Sequence, residues 1–265
     1  MIKIGLYYQS GYRYVPCFYA LEQFRKVYPN APISLYEDNS NVLLPIAKKF
    51  KCDYKKTIIT GRNGNNNGRE SFDLKSTKAW FERINEACTT VLSEADWIVH
   101  FEDDVWIRRE LRSEPPYDLS GIGGIGCDVG LYEHLQTSVR GAYGCGGSMF
   151  NRIKFIEAYK KINEIDWDLM DKLAISPKPS EWADTAITIL FLYSKMSVGP
   201  YNELVQYRNS KAQTLLDRRG WLGSMQELEE EQGDVAIIHC WKPYYYPTEE
   251  EVIYVEKKLA KKILN

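Results

Sequence analysis

Residues 2–8 are a short, mostly apolar run that stops at the polar turn Gln9-Ser10-Gly11, which predicts a buried first strand. Over 17–27 the apolar positions Phe18, Leu21, Phe24 and Val27 recur every three residues until Tyr28-Pro29-Asn30 breaks the pattern, which predicts a helix. Residues 33–36 predict a second strand running into an acidic-amide turn, Glu37-Asp38-Asn39, and 42–50 a second helix. A helix over about 73–92 presents Trp80, Ile84, Ala87 and Val91 on one face, and 97–101 predicts a central strand. Strands alternating with helices favour a largely parallel sheet.

The remaining pattern is less regular. Residues 60–71, with three glycines and four asparagines, have almost nothing to bury and predict a mobile loop. Gly-Ile-Gly-Gly-Ile-Gly at 121–126 follows Pro115-Pro116-Tyr117 and opens no amphipathic helix, so it predicts strand plus turn rather than a phosphate cradle. A second glycine-rich stretch, 141–148, leads into a helix near 152–162, and 183–193 is apolar almost all round, as a buried helix is. Residues 201–233 are polar and show no ordered pattern, whereas 234–240 predict a last strand. Thr248 and Glu251 form a capping box for a terminal helix carrying Val252, Val255, Leu259 and Ile263 on one side.

Composition narrows the function. A chain of 265 residues without a low-complexity linker suits a single domain over 1–265. Its 34 basic and 36 acidic side chains leave no electrostatic footprint for nucleic acid or an anionic membrane, so a small molecule or a neutral glycan is the expected partner. Seven Trp, 19 Tyr and nine Phe offer faces that stack on bases and sugar rings, although core packing accounts for most of them. Six cysteines without a Cys-x-x-Cys pair read as free thiols in a reducing compartment. With no signal-peptide pattern at the start and no membrane-length apolar run, a soluble cytoplasmic protein without a transmembrane segment is expected.

The chemistry concentrates in Trp97-Ile-Val-His-Phe-Glu-Asp-Asp-Val-Trp106, where an apolar strand delivers three carboxylates to its carboxyl end, the place where open α/β sheets bind ligands. Adjacent acids repel unless water or a cation neutralises them, and oxygen ligands suit Mg2+ or Mn2+. Strand alternation puts Glu102 and Asp104 on one face and Asp103 on the other. The plain alternative is a solvated acidic turn. His100, inside the strand, reads as structural.

A strand ending in an acid-x-acid triplet resembles the signature of GT-A fold nucleotide-sugar glycosyltransferases, and further features come in that family's order. Tyr8-Gln9-Ser10-Gly11 ends the first strand and Glu37-Asp38-Asn39 the second. Tyr143-Gly-Cys-Gly-Gly-Ser-Met-Phe150 looks like the glycine-rich segment that approaches donor and acceptor; Glu181-Trp-Ala-Asp184 is similar to the motif carrying the catalytic base; His239-Cys-Trp-Lys242 follows the last strand. The resemblance covers about residues 1–245 by motif order, departs in placing Glu102 where the family has Asp, and shows no second domain or stem. The compact size is similar to members encoded by large DNA viruses or bacteria.

The resemblance implies an α/β, Rossmann-like GT-A fold with a mixed, mostly parallel central sheet flanked by helices. It places nucleotide binding within about 1–110 and the acceptor side within about 111–265. It implies Glu102, Asp104 and His239 as ligands of Mn2+ or Mg2+; Tyr8, Gln9, Ser10, Asp38, Lys75, Asp103, Gly146, Gly147 and Lys242 at the donor; and Asp184, with Glu181 as second candidate, as catalytic base. The implied activity is hexosyl or pentosyl transfer from a UDP- or GDP-type sugar to a hydroxyl of a glycan or other acceptor, with inversion resting on Asp184. The alternatives are an inactive nucleotide-sugar- or glycan-binding protein of this fold and, behind it, a nucleotidyltransferase. Asp184 has its own plain reading, a helix-start carboxylate that stabilises the macrodipole by ~0.3–1 kcal/mol. His239 could equally be a hydrogen-bonded strand-end histidine.

Overall fold

The structure, a computed structural model, describes residues 2–10, 14–38, 43–57, 73–102, 105–122, 133–137, 141–174, 178–207 and 234–240. In its first half β1 (Ile4–Ser10), α1 (Tyr14–Val27), β2 (Ile33–Asp38), α2 (Leu44–Lys49), β3 (Asp53–Thr57), α3 (Leu74–Thr89) and β4 (Trp97–Phe101) alternate, all but β3 as the hydrophobic pattern predicts. Then come β5 (Val105–Ile107), β6 (Leu119–Gly121), β7 (Met149–Asn151), α4 (Arg152–Tyr159), α5 (Trp167–Leu173), a 3-10 turn (Pro179–Glu181) and α6 (Ala183–Tyr193). Strands β8 (Val198–Pro200), β9 (Leu204–Tyr207) and β10 (Ile237–Cys240) complete the order.

The main sheet has the order β3-β2-β1-β4-β7-β6-β8. Its β3/β2, β2/β1, β1/β4 and β6/β8 pairs are parallel, while β7 runs antiparallel to both β4 and β6. Both faces are covered, so strand residues are apolar without alternation: all five residues of β4 are buried. Along β1, Leu6 and Tyr8 enter one hydrophobic cluster with Phe24 and Phe101, whereas Tyr7 enters the other with Trp80 and Phe155.

Several boundaries differ from the sequence pattern. β2 extends to Asp38, into the predicted acidic turn, because the fully buried Glu37 carboxylate accepts hydrogen bonds from Leu43 N–H at 3.1 Å and the Tyr54 hydroxyl at 2.6 Å. The strand β3, Asp-Tyr-Lys-Lys-Thr, is too polar to announce itself; it is the sheet edge, where charged side chains discourage further pairing. Helix α3 begins after Asp73, whose carboxylate accepts from Ser76 N–H at 2.7 Å, and ends at Thr89 rather than 92. The region 201–233 holds β9 where no order was expected, and its residues 208–233 lie outside the described residues, as do the predicted loop 60–71 and the terminal helix. Among the described residues no helix is long and apolar enough to cross a membrane.

A second, three-stranded sheet in the order β5-β10-β9 positions the candidate site. Its register sets His239 of β10 opposite Val105 of β5 and Gln206 of β9.

Candidate active site

The carboxyl end of β4 carries Glu102, and the small sheet brings His239 to it: Glu102 Oε2 lies 3.9 Å from His239 Nε2. That separation is too long for a hydrogen bond, so the two donors face each other across a gap. The surroundings are unequal. The His239 side chain is 4% exposed and Glu102 40%, so the imidazole is fixed by the fold while the carboxylate reaches from solvent.

Gln206 holds the far side of the imidazole, its amide Nε2 3.4 Å from His239 Nδ1. The amide suits either tautomer. Nε2 donates to a bare Nδ1; after a flip the amide oxygen accepts from Nδ1–H, the tautomer that leaves Nε2 as a ligand atom. Gln206 was missed in the sequence because it lies in a segment without apolar signal. Its only trace there is the short apolar start of Leu204-Val205-Gln206-Tyr207.

The glycine-rich stretch 141–148 forms the floor. Gly147 N–H donates to the His100 carbonyl at 2.7 Å and His100 N–H to the Ser148 carbonyl at 2.9 Å, extending the β4 edge into this segment. A Cβ at Gly146 would stand 3.1 Å from Glu102 Oε2, 3.2 Å from His239 Nε2 and 2.8 Å from Val105 Cγ2. Only a hydrogen at this position leaves the gap between carboxylate and imidazole unfilled. Gly147 has φ +83°, a conformation that glycine adopts without strain.

The same stretch touches the start of α6. A Cβ at Gly144 would lie 2.8 Å from the Asp184 carbonyl and 2.0 Å from Ile187 Cγ2, so helix and segment pack backbone to backbone. Thr188 fixes the contact: its hydroxyl donates to the Asp184 carbonyl at 2.7 Å and accepts from Tyr143 N–H at 2.8 Å. Thus Glu102, His239 and Gly146 meet directly, Gly147 packs against Leu204 and Ile237, and the Asp184 backbone meets the same stretch at Gly144. Gly144 and Thr188 were not singled out in the sequence.

The other expected residues differ in their placement. Ser10 ends β1 and is 3% exposed; Gln9 accepts from the Tyr7 hydroxyl at 2.8 Å and from Arg83 at 3.4 Å. Tyr8 has no exposed surface and packs its ring edge-on against Phe101, 6.0 Å between centroids. Asp38 is the last residue of β2 and Glu181 the last of the 3-10 turn, and the structure describes only their backbones. Lys75 is exposed in the first turn of α3. Asp103, Asp104 and Lys242 lie outside the described residues. His100 is structural in surroundings, 3% exposed with its ring near Trp80 at 5.5 Å and Tyr7 at 6.0 Å.

No family model matches the chain, and no curated protein matches it in sequence. Solved structures do. The galactosyltransferase LgtC, in complex with donor and acceptor sugar analogues, matches with a TM-score of 0.51 at 11% identity, covering 97% of this chain and 95% of that one. Mouse xyloside xylosyltransferase 1 matches with a TM-score of 0.51 at 11% identity over 92% of this chain and 99% of the other. The fold is GT-A. At such identity the likeness is one of architecture, and the expectation of a mixed, mostly parallel sheet flanked by helices is met. In this GT-A chain the gap between Glu102 and His239 lies at the carboxyl end of a central parallel strand, where open α/β sheets take their ligands.

Proposed function

We propose that this chain is a glycosyltransferase moving a sugar from a nucleoside-diphosphate sugar, of UDP or GDP type, to a hydroxyl acceptor with the help of Mn2+ or Mg2+. The observation that carries the proposal is the convergence of Glu102 and His239 over Gly146 on a GT-A sheet.

The residues fit a divalent cation in chemistry and in space. Carboxylate oxygen and imidazole nitrogen are donors for Mn2+ in particular, and the missing side chain at Gly146 keeps the space between them clear. Among the described residues no group of three or more His, Cys, Asp or Glu side chains gathers at one point, and Asp104, two residues after Glu102, would be the third ligand. When bound, the cation would neutralise the charge developing on the departing nucleoside diphosphate.

The chain's own residues do the rest. Gln206 keeps the His239 ring in orientation from behind. Asp184, near the start of α6, accepts the acceptor hydroxyl's proton as its oxygen bonds to the anomeric carbon and the bond to the diphosphate breaks, with inversion; Glu181 is the second candidate. Gln9, Ser10 and Asp38 serve the nucleoside from the strand ends, Gly146 and Gly147 admit the donor sugar, and Asp103, Lys75 and Lys242 serve the diphosphate side, whereas Tyr8, expected at the donor, is a fully buried core residue against Phe101 and takes no part.

A thermal-shift screen with UDP and GDP, with and without Mn2+, tests this reading. One nucleotide should raise Tm only with the cation, and Asp104→Ala should lose that shift together with transfer. Asp184→Asn should keep the shift and lose roughly 10²–10⁴ in turnover. Cation-dependent binding without transfer to any acceptor would make the chain a binding protein of this fold. Full transfer by Asp104→Ala in chelator would overturn the scheme.

A further inference from the structure

Helix α6 is apolar almost all round, yet Thr188 stands in it with no exposed surface, among the buried Ile187, Ile189, Leu190, Phe191 and Leu192. A hydroxyl at this depth costs free energy unless it is bonded. It has one partner of each kind, donating to the Asp184 carbonyl at 2.7 Å and accepting from Tyr143 N–H at 2.8 Å. The first bond is the ordinary one for a helical Thr, which bonds back to the carbonyl four residues earlier and needs nothing more. The second is not local. It joins two segments 45 residues apart in the chain.

Tyr143 begins a short span whose other end lies in the candidate site. Gly144 lets the span reach the helix, since a Cβ there would stand 2.0 Å from Ile187 Cγ2 and 2.8 Å from the Asp184 carbonyl. Gly146 lies where Glu102 and His239 face each other. Beyond it the span is tied to β4, with Gly147 N–H donating to the His100 carbonyl at 2.7 Å, and Ser148 N–H folds back onto the Cys145 carbonyl at 2.9 Å. A third side is closed by Gly121, where a Cβ would meet the Tyr143 carbonyl at 2.0 Å. Residues 143–147 therefore run, held at both ends, from the helix that carries Asp184 to the strand that delivers Glu102. A span this short has little slack.

We infer that Thr188 is a positioning residue for the reaction: its hydroxyl ties the α6 turn carrying Asp184 to the glycine floor between Glu102 and His239, so that base and donor gap keep one fixed separation. The inference rests on the transferase reading and deepens it. Attack on an anomeric carbon needs base, acceptor oxygen and leaving group in line, and a misplacement of ~1 Å can cost about 10²-fold in rate. By linkage, whatever orders the floor also orders the start of α6.

The test uses Thr188→Ala and Thr188→Ser. Both lose the methyl group, only Ala loses the hydroxyl, and neither adds an atom that could clash. In transfer assays Thr188→Ala should lower kcat roughly 10- to 100-fold while donor KM and calorimetric binding of UDP or GDP with Mn2+ move less than about twofold, and Thr188→Ser should keep most of the rate. On an Asp184→Asn background the Thr188→Ala loss should disappear, because a hydroxyl that acts through the base has nothing left to position. Hydrogen exchange read by mass spectrometry gives a measurement that needs no turnover. In wild type, Mn2+ with UDP or GDP should slow exchange both in the glycine-rich stretch and in the first turn of α6; in Thr188→Ala the slowing should stay in the glycine-rich stretch.

An unchanged kcat in Thr188→Ala would overturn the inference, as would equal losses in Thr188→Ala and Thr188→Ser. So would the same loss with and without the Asp184 carboxylate, the result a merely structural defect gives. Wild-type protection that does not reach α6 would also overturn it. Protection that reaches α6 through Thr188, without transfer to any acceptor, would leave the linkage standing and sink the transferase reading, so the two failures are distinguishable.

Discussion

Gly146→Ala places a single methyl group at the centre of the candidate site. Its Cβ would meet Val105 Cγ2 at 2.8 Å, Glu102 Oε2 at 3.1 Å and His239 Nε2 at 3.2 Å, all short of the ~3.5–4.0 Å at which non-bonded atoms sit comfortably. Val105 cannot give way cheaply, since it is β-branched, fully buried and paired with His239 across the small sheet. His239 is equally enclosed. The carboxylate of Glu102, 40% exposed, is the group that can move, and it moves toward solvent. Overpacking of this kind costs about 1–3 kcal/mol, and the exit open to Glu102 puts the cost at the low end. At ~2–4 °C per kcal/mol for a chain of this size, Tm falls by only a few degrees.

The functional loss is larger than the stability loss, because Glu102 swinging out separates the two donors. Gly147→Ala is the natural comparison. Its Cβ meets Leu204 Cδ1 at 2.8 Å and Ile237 Cγ2 at 2.9 Å, both in the core, and φ +83° adds left-handed strain of about 1–2 kcal/mol. Differential scanning of wild type, Gly146→Ala and Gly147→Ala, each with UDP or GDP and with or without Mn2+, separates the effects. Gly146→Ala should lose the cation-dependent shift with a small fall in Tm, and Gly147→Ala should lose more stability. A full cation-dependent shift in Gly146→Ala, or a fall in Tm exceeding that of Gly147→Ala, would refute the reasoning.

Two further outcomes come from the electrostatics. The Glu203 carboxylate, 9% exposed in its side chain, accepts from Arg109 at 2.7 Å and from Arg112 N–H at 3.1 Å. Arg109→Ala removes its charged partner and leaves it only the Arg112 N–H among these bonds, at a cost of roughly 1–3 kcal/mol, and a urea melt should show a lower midpoint with an unchanged slope; an unchanged midpoint would contradict this. Solvent reaches Arg109, 23% exposed, and weakens the pair relative to a fully buried one. Burial pushes the Cys88 and Cys52 thiols up to about 12 from 9.0. Both stay neutral in the fold while unfolded thiols ionise near 9, so their contribution to stability is complete below pH 9 and is lost as pH rises from there through 12. Iodoacetamide at pH 8 should therefore label either cysteine only after urea is added, read by peptide mass spectrometry, and rapid labelling of the native protein would count against it.

Most of the first half of the fold is legible because β1, β2 and β4 are buried on both faces and α1 and α3 present one apolar face. The run 97–101 coincides with β4, and 183–193 with α6. Strands β5 and β8, three residues each, carry too few positions for a period to show, and β3 is polar because it is an edge. Glu37 looked like a turn acid because a buried carboxylate reads no differently from an exposed one until its partners, Leu43 N–H and the Tyr54 hydroxyl, are known.

The sequence by itself determined the strand that carries Glu102, the helix that begins at Ala183, and the glycines between them, since hydrophobic period and residue type are local properties. Tertiary structure alone decided which of these meet. That β10 lies between β5 and β9 is a matter of strand order across more than a hundred residues, and this order sets His239 against Glu102 and Gln206 behind it. Likewise, the turn at Ser180 is held by Asp171 and Thr77, contacts that no local pattern encodes.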